Sequence, residues 1–239
     1  MVEKSKALET LYYEYTHLPL GGKKVRCPYW SNKQRILLSG PYKGKGTPAQ
    51  ITKATLEAAK KNNIDLEKLS SGQIRRFMEH HRIGVDCSGF VYHMADALDK
   101  EKGGKGIYDF VQGVRGKGVR KVNAFCLTNE KNSVLIKKVK DIKVGDFIRF
   151  QGGKHIAIIL RIKRDKEGYP REVIYAHSGR LSAVTGVHTG RIKVIDPLKD
   201  IGEQKWFEKT REGYEYVLKY YSQKRKDGLR RLKIWANQD

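Results

Sequence analysis

The hydrophobic positions between residues 86 and 98 recur every three or four residues, which is typical of a helix buried on one side. They follow Asp86, Cys87 and Ser88, and they are Phe90, Val91, Met94, Ala95 and Leu98. Gly84 is suited to end the preceding segment, and Asp86 or Ser88 can cap the new helix. The pattern therefore predicts a helix that starts at Cys87 and ends near Leu98.

Two further helices are predicted upstream, each opened by a capping box. Thr47 at the N-cap with Gln50 three residues later begins a helix that runs to about Lys61. Ser70 with Gln73 begins a second helix, which ends at the His80-His81 pair. Adjacent histidines point to different faces of a helix, so a helix-end role is favoured over a shared metal site.

From Val134 onward the hydrophobic period changes to two, which predicts β-strands. A hairpin tip is expected at 165–170, and its two strands would place His155 opposite His177. The predicted strands are 147–150, 155–162, 172–177 and 191–195. Helices followed by an antiparallel sheet indicate an α+β fold.

The remaining segments are less regular. Residues 1–46 are predicted to be an irregular, aromatic-rich lead-in, and the Gly/Lys-rich stretch 100–120 a mobile connection or a lid inserted into the main domain, 47–200. Residues 201–239 are expected to form a basic extension packed on the same domain. It would contain an aromatic helix and then a last strand over 229–235. The residues that indicate the helix are Trp206, Phe207, Tyr214, Val217 and Tyr221.

The chain is strongly basic, with 49 Lys and Arg against 26 Asp and Glu and a formal net charge of +23. A field of that sign concentrates anionic polymers such as nucleic acid, anionic lipid or bacterial cell wall. The basic residues are dispersed and no nucleic-acid-reading motif is present, so only non-specific nucleic-acid binding is expected.

The three cysteines, Cys27, Cys87 and Cys126, match neither a disulfide framework nor a zinc-site spacing. No metal or other cofactor is therefore expected. Residues 1–15 lack the continuous hydrophobic core of a signal peptide, and no hydrophobic run is long enough to cross a bilayer. A cytoplasmic location as encoded is predicted, and action at a cell wall would require lysis or a non-classical export route.

Cys87 is the candidate nucleophile. At a helix N-terminus, free backbone N–H groups and the helix dipole favour a thiolate, and a nearby base would complete the activation. His155 is the expected general base and His177 the group that orients it. The plain alternatives are a buried core cysteine and two unrelated histidines at strand ends.

Four sequence blocks resemble the motifs of the NlpC-type cell-wall cysteine peptidases, in the usual order of that family. They are Asp86-Cys87-Ser88-Gly89-Phe90-Val91, Val144-Gly145-Asp146-Phe147-Ile148-Arg149-Phe150, His155-Ile156-Ala157-Ile158-Ile159-Leu160 and Ile174-Tyr175-Ala176-His177-Ser178. The resemblance covers about 83–195. It implies a papain-like fold and cleavage of peptidoglycan stem peptides between D-isoglutamate and the diamino acid.

The same resemblance assigns roles to individual residues. It makes Cys87 the nucleophile, His155 the base and His177 the third member of the triad. Asp86 and Ser88 would hold the free amine of a leading L-alanine, although helix capping also accounts for both. The remaining expected substrate-site residues are Ser178, at the end of the fourth block, and an upstream tyrosine, either Tyr29 or Tyr42, for which core packing is the alternative.

Three features depart from the family pattern. The interval from Cys87 to His155 is long, the hairpin between His155 and His177 is extended, and no export signal is present. The main alternative is a related papain-like amidase or acyltransferase that acts on another amide or thioester. The alternative from another class is a basic nucleic-acid-binding protein, which would show steep salt dependence and no sensitivity to alkylation of Cys87.

Overall fold

A computed structural model describes residues 1–31, 40–113 and 116–236 of the chain. The order of elements begins with a strand and a helix, continues with three more helices, and ends largely in strands. The helices are α1 (Lys6–Thr16), α2 (Pro48–Lys61), α3 (Ser71–His80), α4 (Cys87–Glu101), α5 (Ala124–Thr128), α6 (Tyr216–Tyr220) and α7 (Lys233–Ala236). The strands are β1 (Val2–Lys4), β2 (Leu18–Leu20), β3 (Lys23–Val25), β4 (Ser133–Ile136), β5 (Phe147–Phe150), β6 (His155–Arg164), β7 (Pro170–Gly179), β8 (Gly186–Lys193), β9 (Lys205–Trp206) and β10 (Gly228–Leu232).

Eight of the described strands form one curled antiparallel sheet. Its order is β4-β10-β5-β6-β7-β8-β9, and β1 pairs with the outer half of β6. Helices α1 and α4 pack together, and α4 lies against β6 and β7. The α+β prediction is confirmed at this level.

The predicted hydrophobic face of α4 is buried against this sheet. Phe90, Val91, Met94 and Ala95 are fully buried, and Phe90 meets the ring of Tyr15 from α1 edge-on at 5.3 Å between centroids. Burial of a side chain of this size contributes about 1.5–3 kcal/mol. The N-terminal half of α4 is therefore held between α1 and the sheet.

The local start signals of the helices are confirmed. Both capping boxes form: Thr47 with Gln50 opens α2, and Ser70 with Gln73 opens α3. Asp86 caps α4 through a hydrogen bond from the Gly89 N–H to its side chain, at 2.6 Å. The helix extends to Glu101, one turn beyond the predicted end near Leu98.

The lead-in is more regular than predicted. Within 1–31 it contains α1 and the strands β1, β2 and β3, and β1 belongs to the main sheet. The side chain of Ser5 caps α1, and Leu8 and Tyr15 are buried on one face of it. The mixed aromatic pattern hid this helix because Tyr12 and Tyr13 flank its buried face.

The predicted aromatic helix in the tail is wrong. Trp206 instead pairs with Ile192 as part of β9, and only the short helix α6 forms further along. Between them the chain turns at Gly213, whose φ of +88° is unfavourable for other residues and ends any continuous helix. The predicted last strand is confirmed as β10, although the chain changes to α7 at Lys233.

The hairpin of β6 and β7 is confirmed, but its predicted register is wrong. Ile158 lies opposite Ala176, and extending that register by one residue places His177 opposite Ala157. The turn falls between Arg164 and Pro170, so its centre is residue 167 and not 166. His155 and His177 are consequently diagonal neighbours on the same face of the sheet.

The described part of the segment 100–120 is tied to α4. The backbone N–H groups of Gly106 and Ile107 donate to Asp99 and Asp96, each at 2.9 Å, and Ile107 is buried. Two residues of the segment, 114 and 115, lie outside the described residues. A lid function stays a prediction.

Candidate active site

Cys87 is the first residue of α4, where the helix N-terminus meets the sheet. Its side chain is 6% exposed. The backbone N–H groups of Ile156 and Ser88 are near enough to act on its thiol and lower the pKa. Because Ile156 directly follows His155, the Cys87 sulfur lies beside the first residues of β6.

The thiol of Cys87 is not pre-ionised by its position. Burial and the negative charge of Asp86 raise its pKa to about 12, although Lys45 and the two backbone N–H groups act in the opposite direction. The sequence predicts a lowered pKa from the helix N-terminus, so the effect of burial outweighs that of the helix. At neutral pH the thiol is therefore protonated and needs a base to become a nucleophile.

The two predicted histidines are hydrogen-bonded to each other. His155 Nε2 lies 2.7 Å from His177 Nδ1, and both rings are buried. Burial and the neighbouring His177 hold the pKa of His155 well below its usual value. His155 is thus a neutral imidazole, which can accept a proton.

Glu208 extends this pair into a chain of three groups. Its Oε1 lies 3.1 Å from His177 Nε2, and the hydroxyl groups of Tyr175 and Ser182 also donate to its carboxylate. Burial opposes its ionisation, but the charge and hydrogen bond of His177 and the hydrogen bond of His188 hold the pKa of Glu208 well below its usual range.

The carboxylate of Glu208 determines the tautomers of the two histidines when both rings are neutral. An ionised carboxylate only accepts, so His177 donates from Nε2 and accepts at Nδ1. His155 must then donate from Nε2, which leaves its Nδ1 unprotonated. Nδ1 is the atom of His155 that can accept a proton.

His188 and Glu208 are absent from the predicted site. His188 lies opposite His177 in the β7–β8 register, and its Nε2 is 3.3 Å from Glu208 Oε1. The alternation of β8 could have indicated that His188 shares a face with His177. No local pattern marks Glu208, which is 31 residues from His177 and sits in a charged segment.

His177, His188 and Glu208 can also hold a metal ion. One potential ligand atom from each lies within 4.8 Å of the others, and two imidazoles with a carboxylate suit zinc. A metal there would replace the hydrogen bonds of Glu208 to both histidines.

Lys45 occupies the position that the resemblance gives to a substrate amine. Its Nζ lies 2.8 Å from Asp86 Oδ1 and 2.5 Å from Ser88 Oγ, and its side chain is 10% exposed. Asp86 and Ser88 are therefore beside Cys87 as predicted, but an ammonium group of this same chain already satisfies both.

Gly89 allows Lys45 to reach these residues. A Cβ at Gly89 would lie 2.5 Å from the Gly44 carbonyl oxygen and 3.0 Å from the Lys45 side chain. The Gly44 carbonyl accepts from the Asp86 N–H at 2.9 Å, and the Lys45 carbonyl is 2.9 Å from His93 Nε2. The Lys45 segment is thus fixed to the first two turns of α4.

Of the two candidate tyrosines, Tyr29 is the one close to Cys87. Burial and the nearby Cys87 raise the pKa of the Tyr29 phenol. Tyr42 packs partly buried against the hydrophobic core. Tyr216, which the sequence did not indicate, is buried with its ring 6.4 Å from His155 and 5.9 Å from His177, and burial, Glu208 and Cys87 raise its pKa.

Ser178 contacts the protein backbone. It is fully buried, and its hydroxyl donates to the Val85 carbonyl at 2.7 Å. This bond ties β7 to the residue that precedes Asp86, which gives Ser178 a role in positioning the start of α4. The predicted contact of Ser178 with substrate stays a prediction.

Comparison with protein-family models, curated proteins and solved structures finds no match to this chain. None of the helices in the described ranges is long and hydrophobic enough to cross a membrane.

Proposed function

We propose that this chain is a papain-like cysteine endopeptidase that hydrolyses amide bonds in peptidoglycan stem peptides of the D-isoglutamyl–diamino acid type. The observation that carries the proposal is the place of Cys87, at a helix N-terminus beside the first residues of the strand that holds His155, whose Nε2 lies 2.7 Å from His177 Nδ1. The sequence blocks that resemble the NlpC-type peptidases supply the substrate class.

The first step is acylation of Cys87. His155 Nδ1 takes the thiol proton as the sulfur attacks the carbonyl carbon, because the thiol is protonated at rest. The backbone N–H of Cys87 at the start of α4 would stabilise the resulting oxyanion, with the Tyr29 hydroxyl as a candidate second donor. His155 then returns the proton to the leaving amine as the C–N bond breaks.

The second step releases the acyl group. Water gives a proton to His155 and attacks the thioester carbonyl, and the Cys87 sulfur leaves and regains a proton. In both steps His155 is transiently an imidazolium, which His177 and the Glu208 carboxylate stabilise through the chain of hydrogen bonds. Glu208 would act here as a positioning residue because it reaches the reaction only through the histidines.

The contact of Lys45 with Asp86 and Ser88 favours a second candidate function. A substrate amine would have to displace a buried ammonium that makes two short hydrogen bonds. A substrate without a free amine avoids that displacement. The second candidate is therefore an amidase or acyltransferase that acts on another amide or thioester, with the same nucleophile and base.

The deciding experiment is digestion of purified peptidoglycan and of soluble muropeptides, followed by mass spectrometry. The wild type is expected to produce new fragments, whereas Cys87→Ala produces none. Cys126→Ala is the matched control because Cys126 is also a buried free cysteine but lies in α5, and it should retain activity.

Two other results would decide against peptidoglycan cleavage. No fragments from either substrate, with Cys87 still reactive toward iodoacetamide, would support the second candidate function. Fragments from Cys87→Ala at the wild-type rate would disprove the assignment of the nucleophile.

A further inference from the structure

Two buried arginines lie side by side on strands that are not part of the candidate active site. Arg149 is on β5 and Arg230 is on β10, with exposures of 6% and 4%. Gly228 is opposite Arg149, and Arg230 is two residues further along β10, so the two arginines are diagonal neighbours on the same face.

The hydrogen bonds of both guanidinium groups go to neutral acceptors. Arg149 Nη1 donates to the Thr128 carbonyl and hydroxyl, each at 3.2 Å, and its Nη2 donates to the Gly152 carbonyl at 2.9 Å. Arg230 Nη2 donates to the Lys226 carbonyl at 3.1 Å. The Nε atom of each arginine is buried without a hydrogen-bond partner in the described part of the chain.

Neither arginine forms an ion pair with a carboxylate among the residues the structure describes. The two nearby acids are engaged elsewhere. Asp227 accepts from the backbone N–H groups of Gln151, Gly152 and Ser222, and the exposed Glu130 pairs with Lys226 at 3.6 Å.

Two like charges buried side by side are unfavourable, and the carboxylates of Asp227 and Glu130, which form no ion pair with either arginine, offset this only in part. Burial lowers the pKa of both arginines, and the charge of Arg230 lowers that of Arg149 further. Arginine keeps its proton in proteins, so this strain is not relieved by deprotonation. An external anion would relieve it.

A groove of about 270 Å³ gives such an anion access to this place. The two arginines line it together with Phe125, Thr128, Asn129, the lysines Lys131 and Lys226, and the carboxylate of Glu130. The Phe125 ring stacks near the Arg149 guanidinium, at 5.2 Å from its centroid, and holds it in place. The groove thus combines two fixed guanidinium groups and two adjustable ammonium groups with one carboxylate, that of the exposed Glu130 at its rim.

We propose that this groove is a binding site for a phosphoryl group, with Arg149 and Arg230 as the central ligands and Lys131 and Lys226 at the rim. Planar guanidinium donors match the oxygens of a phosphate, and the net positive charge that remains when Glu130 is counted against the four basic side chains suits a dianion better than a single carboxylate. The site is independent of the proposed peptidase activity.

The test is isothermal titration of inorganic phosphate into the protein, with total ionic strength held constant by chloride. The parent protein and all variants carry Cys87→Ala, so that no catalytic turnover contributes to the measured heat. Saturable binding is expected, and Arg230→Met should weaken it by about tenfold or more because a charge-assisted hydrogen bond is lost.

Arg76→Met is the matched control, since Arg76 is exposed on α3 and its loss changes the net charge equally. It should leave phosphate affinity unchanged. Arg149→Lys keeps the charge but loses the planar donor geometry, so it should also weaken binding, and it serves as the second variant if Arg230→Met does not fold.

Three results would overturn the proposal. The first is an absence of saturable phosphate binding by the parent protein. The second is equal weakening by Arg76→Met and Arg230→Met, which would indicate a diffuse charge effect. The third is equal affinity for acetate and phosphate, which would assign the groove to a carboxylate.

Discussion

Glu208 is the residue on which two histidines and two hydroxyl groups converge, and its buried carboxylate is the only acidic group among them. A carboxylate whose pKa is lowered in the folded state stabilises that state once pH is above the unfolded pKa, about 4.3. As pH falls from that value toward the lower folded pKa, the stabilisation is lost.

We expect Glu208→Gln to lower kcat/KM by about one to two orders of magnitude, because an amide cannot supply the charge-assisted hydrogen bond to His177. The variant should also lose less stability than the wild type when pH falls below about 4.3, as measured by thermal unfolding. Glu203→Gln is the control, since Glu203 belongs to a half-exposed pair with Lys199. Unchanged activity of Glu208→Gln would remove Glu208 from the catalytic chain.

Lys45 neutralises Asp86 next to the candidate nucleophile. With Lys45→Met, Asp86 would be left with an unpaired charge and could receive an ammonium group from a substrate. We expect the ratio of kcat/KM for a peptide with a free N-terminal amine to that for its N-acetylated form to rise by about tenfold.

The measurement compares the two peptides with the wild type, Lys45→Met and Lys53→Met. Lys53 is the control because its contact with Glu57 is on the exposed surface of α2. If Lys45→Met changes the rates for both peptides by the same factor, Lys45 does not determine substrate choice.

Among the elements, β10 has the greatest structural importance for its length. It lies between β4 and β5, and all five of its residues are buried. Arg231 in β10 also makes two 2.8 Å contacts with Asp146, at the turn that leads into β5. The strand therefore joins two parts of the sheet that would otherwise be separate.

We predict that a chain ending at residue 227 does not fold, because the removal of β10 exposes the facing edges of β4 and β5. A chain ending at residue 236 keeps β10 and α7 and should fold like the full chain. Circular dichroism and size-exclusion chromatography distinguish the two outcomes. A cooperative thermal transition in the shorter chain would contradict this role for β10.

The elements that the sequence predicted correctly are those with local causes. The capping boxes of Thr47 and Ser70 involve residues three apart, and the hydrophobic face of α4 is a repeat within one helix. The secondary structure of Trp206 depends instead on its pairing with Ile192 in a distant part of the sequence. Aromatic residues fit both strands and helices. Its strand could not be distinguished from a helix by period alone.

In the candidate site, too, the residues that the sequence predicted are those placed by local patterns, and the residues that it missed are placed by contacts between distant segments. Cys87 has a helix start beside it, and His155 and His177 belong to one hairpin, so their proximity follows from the local pattern. Glu208 and Lys45 reach the site through tertiary contacts that no local pattern marks.

At the scale of the whole molecule, the excess of basic residues produces a long-range positive field. Interactions of exposed charges are screened over about 10 Å at roughly 0.1 M salt. Attraction to an anionic polymer should therefore weaken steeply as salt rises, whereas the chemistry at buried Cys87 and His155 should not.

We expect Cys87→Ala to cosediment with anionic wall polymer at low salt and to be released by roughly 0.5 M sodium chloride, where the screening length is only a few ångströms. Hydrolysis of a short neutral peptide by the wild type, measured at the same salt concentrations, should change little. Salt-independent sedimentation would show that the net charge does not drive the association.

The position of β10 also has a consequence for the order of events during synthesis. Residues 228–232 leave the ribosome after β4 and β5, yet they must be inserted between those two strands. On a nascent chain that stops short of β10, β4 consequently cannot join the sheet that holds His155 and His177. Until then the edges of β4 and β5 are open to pairing with other chains, so this is the stage at which a chaperone would have the greatest effect on yield.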